Sequence, residues 1–133
     1  MKTDGPATAT IGDEITYRIT VPEVPVATPL YDVRILDDLT ISGADLEFVS
    51  AVVVSGGSWT LTNTGTSNNL VIEDTGAGID IPASGQAVID VTVRVSNTVN
   101  NQIGDTFNNT ATYTFNRTNN LLTSQTPGSG DTT

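Results

Sequence analysis

The stretch Ile15-Thr16-Tyr17-Arg18-Ile19-Thr20-Val21 decides the fold. Apolar Ile15, Tyr17, Ile19 and Val21 alternate with Thr16, Arg18 and Thr20, the period of two that sets one face of a strand on a core and the other in water. Wound as a helix, the same residues would scatter their apolar side chains around the axis. A second stretch repeats the pattern. From Gln86 to Ser96, Ala87, Ile89, Val91, Val93 and Val95 share one face while Val88, Asp90, Thr92 and Arg94 share the other.

Weaker strands fill the intervals. Pro22, Pro25 and Pro29 offer no N–H to a ladder, so 22–29 is expected as a loop, with a strand resuming at Leu30. There Tyr31, Val33 and Ile35 fall on one face and Asp32 and Arg34 on the other, and the parity carries Asp37 onto the apolar side. Leu46 to Val54 and Ser58 to Thr62 are expected as strands about the Gly56-Gly57 turn, with Trp59 and Leu61 sharing a face. Asn69 to Glu73 is a short strand ended by Gly76-Ala77-Gly78. The last strand spans about Phe107 to Asn116, with Phe107, Asn109, Ala111, Tyr113 and Phe115 on the inward parity. Several short strands with closely spaced turns and no helical period predict an all-β fold, an Ig-like antiparallel β-sandwich of about seven to nine strands.

The 133 residues suit one domain, expected over residues 1–118, followed by a polar Gly/Ser/Thr/Pro-rich linker or tail over 119–133. Five basic residues against fifteen acidic ones and no histidine give a net charge of -10, which disfavours nucleic acid and anionic membranes as partners. No cysteine is present, so disulfides, thiolate metal sites and cysteine nucleophiles are excluded, and the missing histidine excludes a Ser/His/Asp triad. No apolar run approaches the roughly 20 residues that cross a bilayer. The first residues lack the apolar segment of a signal peptide, so any export signal and anchor are expected outside this stretch. Lys2 is the only lysine; the other basic residues are Arg18, Arg34, Arg94 and Arg117.

Four segments, in order, carry a family resemblance: Gly12 to Val21 (GDEITYRITV), Val33 to Leu39 (VRILDDL), Leu46 to Ala51 (LEFVSA) and Asn109 to Tyr113 (NTATY). Together they resemble the Ig-like repeat domains of bacterial surface proteins, including DUF11-type repeats and the isopeptide-forming domains of fimbrial and adhesin stalks. The resemblance covers about residues 2–116. It implies an extracellular, cell-surface stalk or spacer module, monomeric as an isolated domain, whose partners are neighbouring repeats of the same chain and a host or matrix ligand. Members of the family that crosslink join a lysine of the first strand to an asparagine of the last, promoted by a carboxylic acid between them. The matching positions here are Lys2, Asn109 and Asp37, with Asn108 the competing amide if a bulge shifts the register.

The chemistry is single-turnover and needs no cofactor. A lysine held in an apolar core favours its neutral, nucleophilic form, and a protonated aspartic acid there can donate to the asparagine side-chain oxygen and stabilise the tetrahedral oxyanion. Ammonia leaves and an amide remains. Folding supplies the proximity that makes such an aminolysis feasible. Glu47 and Glu73 are alternative acids, and Asp37 could instead cap the turn at Asp38. Asp37-Asp38 and Glu73-Asp74 are acidic pairs, but no Asp-x-Asp-x-Asp-Gly calcium loop appears. A different reading of the same sandwich is a ligand-binding adhesion module without the bond, using the end loops Thr62 to Asn69 and Asp74 to Ser84.

Overall fold

The computed structural model describes residues 2–3, 12–41, 45–96, 110–117 and 126–127. Among these residues, nine strands run β1 (Lys2–Thr3), β2 (Glu14–Val21), β3 (Tyr31–Asp38), β4 (Leu46–Ser55), β5 (Thr62–Asn63), β6 (Asn69–Glu73), β7 (Ala87–Val95), β8 (Thr112–Asn116) and β9 (Thr126–Pro127), with a 3-10 turn at Leu39–Ile41. One sheet has the order β1-β2-β7-β4 and the other β5-β6-β3-β8-β9, and every strand pairing is antiparallel. The fold is an all-β sandwich of immunoglobulin-like arrangement.

Alternation builds the core directly. Ile15, Tyr17, Ile19 and Val21 of β2 and Ala87, Ile89, Val91, Val93 and Val95 of β7 are buried on one sheet. Val33 and Ile35 of β3, Leu70 and Ile72 of β6 and Tyr113 of β8 face them from the other. Burying each such aliphatic side chain is worth about 1.5–3 kcal/mol, so these strands carry most of the apolar stabilisation. On the outer face, Arg18 holds Asp90 through two bonds of 2.8 and 3.2 Å, and Arg94 lies 2.9 Å from Glu14.

Among the described strands, three bulges modify the plain alternation. On β4, the register with β7 shifts between Phe48 and Ser50 and between Val53 and Ser55, so Val49 and Val54 are the extra residues and both are exposed. Such bulges blunt an edge strand that would otherwise offer a flat ladder to another chain. On β3, Asp32 and Val33 occupy the interval where β8 has only Phe115, between the pairs Tyr31↔Asn116 and Arg34↔Thr114. Strict parity expects Asp32 outward, but the bulge turns it inward and it is 2% exposed.

Two further departures concern pairing. The expected strand from Ser58 to Thr62 is absent: ladder pairing starts only at Thr62–Asn63, in the sheet opposite β4, so 56–61 crosses between sheets. Trp59 and Leu61 are each half-buried against the core as the chain crosses. Within the segment expected as a tail, Thr126–Pro127 pairs with Thr114 and Phe115 of β8. Phe107, at the expected start of the last strand, lies outside the described residues.

Candidate functional site

Asp37 is the acid in the core. It lies near the end of β3, opposite Leu70 of β6, and is 1% exposed. The hydroxyl of Tyr17, from β2 in the facing sheet, donates a hydrogen bond to Asp37 Oδ2. This contact bridges the two layers through otherwise apolar packing. The capping role open to Asp37 is taken by its neighbour: Asp38 Oδ1 accepts from the Thr40 backbone N–H at 3.0 Å. The alternative acids sit in ion pairs, the part-buried Glu73 at 3.2 Å from Arg34 and the more exposed Glu47 at 3.7 Å from Arg94.

Of the other expected residues, Lys2 alone falls among the described ones. Lys2 lies on β1 at the edge of the sheet, opposite Ile19, a core residue two positions beyond Tyr17 on β2. Leu36 pairs with Thr112, so the register sets Asp37 beside Ala111, which is buried immediately before β8. Asn109, two residues before Ala111, and Asn108 both lie outside the described residues.

A second buried polar group escaped the sequence reading. Asn116 Nδ2 donates to Asp32 Oδ2 at 3.1 Å, and the Asp32 N–H donates to Asp80 Oδ1 at 3.0 Å. Asp32 has a φ of 51°, in the left-handed region that costs an L-residue about 1–2 kcal/mol but that aspartate tolerates better than most. Beside it, Gly78 has a φ of 78°, and a Cβ built there would stand 2.2 Å from Asp32 Oδ1. Asn116-Arg117-Thr118 matches a glycosylation sequon, yet Asn116 is 2% exposed and its amide is spent on Asp32. Nothing in the local sequence marks this pair, because the bulge that creates it is a property of two strands together.

Asp74 does carry a local signal, an aspartate opening the Thr75-Gly76-Ala77-Gly78 turn. Its carboxylate accepts from the N–H groups of Gly76, Ala77 and Thr60 at 2.9–3.1 Å. Burial pushes this carboxyl up, but the three backbone donors from Ala77, Thr60 and Gly76 outweigh it and hold it below the usual carboxylate range. The Asp90 carboxyl is also held low, chiefly by its hydrogen bond from Arg18.

All four arginines have partners: Arg18, Arg34 and Arg94 in ion pairs, and Arg117 over the Phe115 ring at 6.0 Å. Among the described residues, no group of three or more acidic side chains is gathered to hold a metal ion. No helix there is long and apolar enough to cross a membrane. Comparisons with protein-family models, with curated proteins and with solved structures gave no match to this chain.

Proposed function

We propose that this sandwich is a structural stalk or spacer module of a bacterial cell-surface adhesin or fimbrial protein, locked by an autocatalytic isopeptide bond between Lys2 and Asn109 and promoted by Asp37. The observation that carries the reading is Asp37 itself, a fully buried acid in an apolar core. Its strand is flanked by β8, the strand that Asn109 precedes, and it contacts β2, the strand that β1 and Lys2 pair with. An acid in such a position costs stability unless it is hydrogen-bonded, and an acid–base role gives it a use.

The step balances on this chain alone. Neutral Lys2 Nζ attacks Cγ of Asn109, forming the Nζ–Cγ bond, while protonated Asp37 donates to the side-chain oxygen and stabilises the oxyanion. Asp37 relays a proton from the attacking nitrogen to Nδ2, the Cγ–Nδ2 bond breaks and ammonia leaves. The product ties the first strand to the last, so a load applied at the ends of the domain meets a covalent link. Neighbouring repeats of the same chain are the natural partners of such a module, with a host or matrix ligand bound elsewhere along the array.

Intact-mass measurement of the folded chain tests the bond. The wild-type chain is expected to weigh less than its sequence by one ammonia, and Asp37→Ala to recover the full mass while remaining folded. A folded wild-type chain of unchanged mass overturns the bond and favours the non-crosslinked adhesion module. A crosslinked Asp37→Ala assigns the acid elsewhere.

A further inference from the structure

The acid of the proposed reaction does not stand alone in the core. Tyr17 is itself buried, and its ring is held in β2 by the register that sets it opposite Val91 of β7. Ile15 and Ile19, its same-face neighbours on β2, are equally buried, so the ring has little freedom to swing away. Its hydroxyl crosses the gap between the sheets and donates to Asp37 Oδ2. A buried phenol hydroxyl needs a partner, but a backbone carbonyl would satisfy it as well as a carboxyl does. Here the partner is the acid that the chemistry uses.

We propose that Tyr17 is a positioning residue for isopeptide formation: its hydroxyl holds the acid Asp37 by Oδ2 while that carboxyl relays the proton. The inference rests on the Lys2–Asn109 reading. During the reaction Asp37 alternates between acid and carboxylate, and the carboxylate is the state that an apolar core penalises. A hydroxyl that donates to Oδ2 steadies that transient charge without moving, because the donor is in place before the proton leaves. Phenylalanine at this position would keep the ring and its packing and remove the donor alone.

The test is the rate of mass loss as the chain refolds from denaturant, followed by quenching and intact-mass measurement, for wild type and Tyr17→Phe. A hydrogen bond to a charged group has a magnitude that predicts bond formation roughly tenfold to a hundredfold slower in Tyr17→Phe. The alkaline fall-off of the rate is expected to move to higher pH, because a carboxyl deprived of a donor keeps its proton longer. A merely structural tyrosine would leave that profile in place. Placing Tyr17→Phe in a Lys2→Ala background, where no bond can form, isolates the packing effect, and the melting temperature there is expected to stay within about 10 °C of Lys2→Ala alone. Wild-type chain that loses ammonia while Tyr17→Phe matches its rate and pH profile overturns the role of Tyr17 and leaves the bond standing. Wild-type chain that loses no ammonia overturns both.

Discussion

β3 buries two aspartates five residues apart, and they are buried for different reasons. Asp37 is inward because the strand alternates, and its partner is a side chain from the opposite sheet. Asp32 is inward because the strand bulges, and its side-chain and backbone groups bond Asn116 on the neighbouring strand and Asp80 from the connection between β6 and β7. The bulge gives Asp32 an architectural duty, pinning β8 and the 74–81 connection to β3. Asp37 instead joins the two layers, through its bond from Tyr17. Asp32 belongs to the fold, and Asp37 is the acid to which the proposed reaction gives a use.

The sharpest way to break that contrast is at Gly78. A methyl group there meets both a left-handed backbone and the Asp32 carboxyl, so Gly78→Ala combines backbone strain with displacement of a buried acid. It is expected to cost about 3 kcal/mol, lowering the melting temperature by roughly 10 °C. Asn116→Ala comes next. It strips a donor from buried Asp32 without disturbing the backbone, for an expected loss of about 2 kcal/mol in denaturant unfolding.

The smallest effect is expected at the acid of the proposed reaction. In a Lys2→Ala background, the double variant Tyr17→Phe/Asp37→Val removes both members of the inter-sheet pair. Its stability is expected to lie within about 1 kcal/mol of the background or above it, since apolar replacement of a complete buried polar pair is often neutral or favourable. A loss larger than that of Asn116→Ala would give Asp37 an architectural duty as well and dissolve the distinction.

Much of the fold was legible because it rests on alternation. Ile15 to Val21 and Ala87 to Val95 each present one apolar face, and the structure buries those faces. The same parity put Asp37 inside. The rest depended on pairing, which a single strand does not encode. Ser58 to Thr62 alternates as a strand does, yet its chain is crossing between sheets, and the Thr60 N–H goes to Asp74 Oδ2 instead of a ladder. Asp32 fails for a related reason. One extra residue against β8 reverses the face of everything before it, and that extra residue is visible only from the partner strand.

The sequence by itself determined that this chain is an acidic, cysteine-free antiparallel sandwich with an aspartate aimed into its core, because side-chain period and composition are local quantities. Only the tertiary structure decided what that aspartate meets and that a second one joins it. The phenol of Tyr17 and the amide of Asn116 come from distant strands, and their partners follow from register, bulge and the packing of one sheet on the other.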